Sequence, residues 1–137
     1  MQFSSNNKKH LLEHPVRWGD MDALEHVNNT IYFRYFEEAR INFFNDSGLR
    51  KLMDSQNVGF ILGSTDCKFK FPITYPDTLY IESVALNVEN DRFTVRQTIK
   101  SKQHEKIAAE SSSVIVSYDH KNKRKATLPE LVIELLK

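Results

Sequence analysis

The chain has 137 residues, with 19 Lys and Arg against 18 Asp and Glu, giving a formal net charge of +1. That length suits one domain with its own core, expected to span 1–137, and a 40% hydrophobic content with nine Phe and five Tyr excludes a disordered chain. The balanced charge lacks the basic footprint of a nucleic-acid binder, and a single cysteine, Cys67, excludes an internal disulfide or a cysteine zinc cage.

Residues 1–9 are polar and expected to fray. They carry no apolar signal core, no stretch reaches the ~18 apolar residues of a membrane span, and the end at Lys137 matches no lipidation signal. The expectation is a cytoplasmic protein with no membrane span. His10–Trp18 reads as a first strand, bent or at an edge because Pro15 lacks a backbone donor. Gly19–Asn28 is polar and turn-like. From Asn29 to Asn45 there is no Gly or Pro, and Tyr32, Tyr35, Phe36, Ala39 and Phe43 recur at helical spacing. Ile31, Phe33, Ile41 and Phe44 widen the apolar surface, leaving Arg34, Glu38 and Asn42 as a narrow polar line, so this helix is expected to be buried on most sides. Asn28 or Asn29 suits the N-cap and Gly48 the C-terminal stop.

Strand signals follow. Val58–Phe71 ends in the alternating run Lys68-Phe69-Lys70-Phe71, and Pro72 and Pro76-Asp77 mark a turn. Thr78–Val88 alternates around Ile81, Val84, Leu86 and Val88; Asn90-Asp91 is turn-like; Phe93, Val95 and Ile99 share one face of Arg92–Lys100. Val114, Val116 and Tyr118 share one face of Ile107–Tyr118, and Pro129 opens a short helix over Glu130–Leu136. Consecutive hairpin-linked strands predict an antiparallel sheet of the α+β class, curved around one long helix.

The densest polar cluster is Asp20-Met21-Asp22-Ala23-Leu24-Glu25-His26-Val27-Asn28-Asn29, just before the long helix. The first N–H groups of a helix lack intrahelical acceptors and carry a partial positive charge. A carbonyl oxygen becoming an oxyanion is stabilised there, and an adjacent carboxylate can attack or activate water. The same residue types are also ordinary capping and turn residues, and Asp20, Asp22 and His26 could ligate a metal. No Gly-x-Ser-x-Gly elbow is present, and Cys67 has no histidine close in sequence, so neither a serine nor a thiol nucleophile is supported.

The segment Arg17-Trp18-Gly19-Asp20-Met21-Asp22-Ala23-Leu24-Glu25-His26-Val27-Asn28-Asn29, followed by Tyr32, Tyr35, Phe36, Glu37, Ala39 and Arg40, resembles the hotdog-fold acyl-CoA thioesterases of the 4-hydroxybenzoyl-CoA thioesterase type. Phe71-Pro72, Tyr75, Asp77 and Leu79 resemble that family's turn between central strands, and the likeness runs from His10 to Pro129. It implies hydrolysis of an acyl-CoA to a free acid and CoA, with no cofactor or metal and with coenzyme A entering as part of the substrate.

Asp22 matches the catalytic carboxylate, as nucleophile or general base. His26 matches a histidine that polarises the carbonyl or orients water, or else bonds at the helix entry. Glu37 matches a helix glutamate that positions water or pairs with Arg34 or Arg40. Val27, Asn28 and Asn29 are the oxyanion candidates, and Asp20 is expected to shape the turn. Two departures stand out: Glu25 occupies a position where many family members carry Gly, and Leu24 stands where related plant enzymes place Asn.

The basic run Lys121, Lys123, Arg124 and Lys125 either meets the CoA phosphates, with Lys123, Arg124 and Lys125 as the candidates, or is a solvated surface. The other readings are a non-catalytic acyl-CoA-binding module and a hotdog enoyl-CoA hydratase or dehydratase. The resemblance also implies a homodimer or a dimer of dimers.

Overall fold

The computed structural model describes residues 8–137. The part of the expected frayed segment covering 1–7 lies outside the described residues. Its end departs from expectation, because Lys9 already pairs with Val84 in the sheet.

The first strand, β1 (Lys9–Pro15), is followed by a 3-10 turn at Trp18–Asp20 and a long helix, α1 (Asn29–Asp46). A second helix, α2 (Leu49–Ser55), then leads into β2 (Gly59–Thr65) and β3 (Lys68–Phe69). Three long strands follow, β4 (Thr78–Leu86), β5 (Arg92–Ser101) and β6 (Lys106–Asp119), and the chain closes with β7 (Arg124–Lys125) and α3 (Glu130–Leu136). All pairings are antiparallel, in the order β1-β4-β5-β6-β2, with β3 and β7 also pairing with β6. β4, β5 and β6 form the expected hairpin series. β2, the strand preceding them, instead pairs at the far side of β6 and makes one edge of the sheet, while β1 makes the other.

Helix α2 replaces the expected stretch before the strands. Gly48 has φ of 80°, a left-handed conformation that ends α1 and immediately precedes α2. The run expected as one strand over Val58–Phe71 is two strands. The register shifts between Leu62 and Ser64, and Asp66 and Cys67 separate β2 from β3.

Helix α1 is not buried on most sides. Tyr32, Tyr35, Phe36, Ala39, Phe43 and Phe44 face the sheet, whereas Phe33, Arg34, Glu37 and Ile41 are exposed. Its core contacts fall into two apolar clusters. One gathers Tyr32, Tyr35 and Phe36 with Leu79, Ile81 and Ile99; the other gathers Phe43 and Phe44 with Phe93, Val95 and Ile115, closed by α2 and α3. A polar waist lies between them. Arg40, 8% exposed, donates through Nη1 to Gln97 Oε1 at 3.2 Å and Ser113 Oγ at 3.4 Å, and Gln97 Nε2 donates to Phe36 O and Ser83 Oγ. Val114 and Tyr118 do share a face of β6, but it is the outer one; the helix side carries Ser111, Ser113, Ile115 and Ser117.

Cys67 is half-buried against the first cluster, and burial pushes its thiol up to about 11. No helix among the described residues is long and apolar enough to cross a membrane.

Candidate active site

Residues 21–27 form a small hairpin at the entrance to α1. Met21 and Val27 make an isolated antiparallel bridge, and Asp22 N–H donates to His26 O at 2.8 Å. The turn closes with Glu25 N–H on Asp22 O, and Glu25 adopts φ of 63°. Left-handed backbone is where glycine fits without strain, which accounts for Gly at this position in the family that the segment resembles.

The hairpin is fastened on two sides. Asn28 N–H donates to Asp20 O at 3.0 Å and Val27 N–H to Ile73 O at 2.8 Å. Ile73 N–H in turn donates to the Tyr32 hydroxyl at 3.1 Å, so helix, hairpin and the 71–73 turn are tied together. Asn28 is the N-cap: its Oδ1 accepts from Thr30 N–H at 2.9 Å.

These bonds sort the oxyanion candidates. The N–H groups of Val27 and Asn28 are committed to Ile73 O and Asp20 O. The Asn29 N–H, exposed at the first helical position, has no acceptor among the described residues. Asp22 is half-buried; its Oδ1 accepts from Leu24 N–H at 2.9 Å, and its second oxygen has no partner among the described residues. His26 is exposed and its ring makes no hydrogen bond there, so it does not bond at the helix entry. Asp20 shapes the turn, accepting from Tyr35 Oη at 2.8 Å and Arg17 Nε at 3.0 Å. Burial pushes the Asp20 carboxyl up, but these two donors outweigh it and hold the group below its ordinary value.

Two sequence candidates lie elsewhere. Glu37 is eight residues beyond Asn29, about 12 Å along the helix at ~1.5 Å per residue. It lines a cleft of about 410 Å³ between α1 and β2 with Arg40, Ile41, Phe44, Phe60 and Leu62. It pairs with neither Arg34 nor Arg40 within ion-pair distance among the described residues. Arg124 and Lys125 form β7 beside Tyr118 and Asp119, and Lys123 has φ of 55° in the preceding turn. The hairpin side of the sheet is the Ala108 end of β6, where Phe71 N–H meets Ala108 O. Ala108 to Asp119 along β6 is about 35 Å at ~3.3 Å per residue, so one chain does not bring its own basic turn to Asp22. Among the described residues, no group of three or more His, Cys, Asp or Glu is placed to hold a metal.

Residues absent from the sequence candidates are Tyr32, which bridges helix and turn, and Arg40. The signal for Arg40 is its i+3 spacing from Glu37 and the serine-rich run Ser111-Ser112-Ser113 on β6.

The sequence model of the thioesterase-like superfamily matches residues 16–136. A long-chain acyl-CoA thioesterase of Escherichia coli is 25% identical over 113 residues, covering 82% of this chain and 86% of that protein. A protein of Aquifex aeolicus is 31% identical over 125 residues, covering 89% and 93%. A 4-hydroxybenzoyl-CoA thioesterase variant solved with 4-hydroxybenzoyl-CoA superposes with a TM-score of 0.82 at 19% identity, over 95% of this chain and 99% of that one. That likeness shows the hotdog fold, a curved antiparallel sheet around a central helix.

Proposed function

Because the chain belongs to the thioesterase-like superfamily, and so to enzymes that hydrolyse thioesters, we propose that it cleaves an acyl-CoA with Asp22 as the reacting carboxylate, within one hotdog domain. One observation carries this reading. Asp22 has one oxygen pinned by Leu24 N–H and no partner among the described residues for the other, on a hairpin fastened to the start of α1, where Asn29 N–H also has no acceptor among them.

Asp22 either attacks the thioester carbonyl or takes a proton from a water that does. In the first route the carboxylate forms a C–O bond, the C–S bond breaks, CoA leaves as the thiol after taking up a proton, and water cleaves the resulting anhydride. In the second, hydroxide adds directly and the same C–S bond breaks, giving the acid and CoA. Negative charge builds on the carbonyl oxygen in both, and Asn29 N–H with the helix dipole stabilises it. His26, exposed beside the turn, orients water or polarises the carbonyl. Coenzyme A is part of the substrate, and no further cofactor enters these steps.

The functional unit in this reading is a dimer. β2 is an edge strand with Ile61 43% and Leu62 45% exposed, next to exposed Ile41 and Phe33 on α1 and Phe69 on β3. An apolar edge of this kind is covered by pairing. Antiparallel pairing of β2 with β2 of a second copy about a two-fold axis sets the Gly59 end of one against the Thr65 end of the other. The second copy's basic turn, with Lys123, Arg124 and Lys125, then lies toward the hairpin end of the first, where it would meet the CoA phosphates. Glu37 faces the same seam, and the cleft between α1 and β2 takes the acyl group against its apolar residues Ile41, Phe44, Phe60 and Leu62.

The test is release of free thiol from short-chain, long-chain and aryl acyl-CoAs. Wild-type protein turns over at least one class, and Asp22→Asn loses roughly a hundredfold or more in kcat. Equal rates for Asp22→Asn and wild type would overturn the assignment of Asp22. Hydration of an enoyl-CoA without thiol release would overturn the reaction.

A further inference from the structure

Beneath the hairpin, five side chains form a continuous chain of hydrogen bonds from β1 to α1. The His14 ring, almost buried, has Nδ1 at 2.7 Å from Pro15 O and Nε2 at 2.8 Å from Glu38 Oε2. Both partners present oxygen acceptors to the ring. Arg17 reaches Glu38 with its fork, Nη1 to Oε1 at 3.2 Å and Nη2 to Oε2 at 3.1 Å, and reaches Asp20 with Nε at 3.0 Å. Tyr35, with no exposed surface, lies against the His14 ring at 4.9 Å and under the Arg17 guanidinium at 5.4 Å, and its hydroxyl donates to Asp20 at 2.8 Å. The chain ends at Asp20, whose backbone carbonyl receives Asn28 N–H, the bond that ties the hairpin to α1.

We propose that Tyr35, Arg17 and Glu38 are positioning residues for the reaction, acting through Asp20 to fix the hairpin that presents Asp22 at the start of α1. The proposal rests on the reading of Asp22 as the reacting carboxylate. Three features support it. Tyr35 and Arg17 converge on the same oxygen of Asp20, Oδ2, so its side chain is held from the core and from the surface at once. Arg17 is shared between Glu38 and Asp20, and Asp22 belongs to none of the network's ion pairs. The nearest carboxylate to Asp22 in sequence is thereby committed to Arg17 and Tyr35, while one Asp22 oxygen has no partner among the described residues. None of the five side chains lines the cleft between α1 and β2, so they hold geometry at the reacting end without touching the acyl site.

The experiment measures kcat and KM for Tyr35→Phe, Asp20→Asn, the double variant and Asp22→Asn, with thermal melting of each to normalise for folded protein. Tyr35→Phe is expected to lower kcat roughly tenfold, because displacing a reacting group by about an ångström costs up to a hundredfold, and to leave KM within about twofold. The double variant is expected to match Asp20→Asn alone, since residues acting through one another are not additive. A role confined to stability would lower the melting temperature and leave kcat per folded molecule unchanged. The proposal is overturned if Tyr35→Phe and Asp20→Asn keep the wild-type kcat while Asp22→Asn has lost it. A wild-type kcat for Asp22→Asn overturns the reading of Asp22 instead, a separate result on a separate variant. If Asp20→Asn does not fold, Arg17→Lys carries the same test: it keeps the charge but not the fork, and an unchanged kcat there overturns the proposal.

Discussion

Replacing Tyr32 with Phe removes one oxygen from a point where three parts of the molecule meet. That hydroxyl accepts the N–H of Ile73, a residue with no exposed surface, at 3.1 Å, and lies 3.4 Å from Phe71 O. The longer contact contributes little, since strength falls off at that separation. The shorter one matters because Phe leaves the Ile73 N–H buried without an acceptor, which costs ~1–3 kcal/mol. Taking ~2 kcal/mol, and ~3–5 °C per kcal/mol for a chain of this size, the melting temperature should fall by roughly 6–10 °C. Activity should fall as well, because Ile73 O holds Val27 N–H at 2.8 Å and slack in the 71–73 turn reaches the hairpin. Calorimetry or circular dichroism at neutral pH measures the shift, with Tyr80→Phe as control, a half-buried tyrosine whose hydroxyl has no partner among the described residues. A Tyr32→Phe melting temperature no lower than that of the control would refute the reasoning.

In Asp20 and Glu38, burial raises the carboxyl, but Tyr35 and Arg17 for the first and Arg17 and His14 for the second outweigh it, so both sit below their ordinary values. Stability from a depressed carboxylate is present above the unfolded value and lost as pH falls through the folded one, so the melting temperature should drop below pH ~4. Asp20→Asn should flatten part of that drop, and parallel curves for variant and wild type would contradict it. Leu62→Glu puts a charge in the middle of the exposed edge strand and should give a monomer by light scattering; an unchanged dimer mass would place the seam elsewhere. Glu25→Gly relieves a left-handed residue at ~1 kcal/mol and gives back part of that as unfolded-chain freedom. The net should be a gain of about 0.5 kcal/mol in denaturant melts with turnover kept, and a clear loss would show that the Glu25 carboxylate contributes.

Helix α1 was legible because its apolar residues recur at one period for seventeen residues and Asn28 supplies a capping oxygen. The hairpin was legible as a turn for the same local reasons. Helix α2 was not, since a seven-residue element after a glycine offers only Leu49, Leu52 and Met53 as pattern, and Gly48 reads as a stop although it also starts the next turn. Which face of β6 turns toward the helix was not legible, for a physical reason. Ser113 on its helix side meets Arg40 in the polar waist, so Val114 and Tyr118 lie outward. The place of β2 beside β6 depends on pairing across about fifty residues, which no local pattern encodes. In the site, Arg34, Glu38 and Asn42 read as one narrow polar line, and Glu38 bonds back from it to His14 and Arg17, residues 24 and 21 positions earlier.

The half-buried cysteine bears on how this enzyme meets its own product. Hydrolysis releases a thiol beside a protein that has a thiol of its own, and exchange between the two runs through the thiolate. Burial raises Cys67 to about 11, so little of it is thiolate at neutral pH. A disulfide of the released thiol would therefore find little to react with at this cysteine.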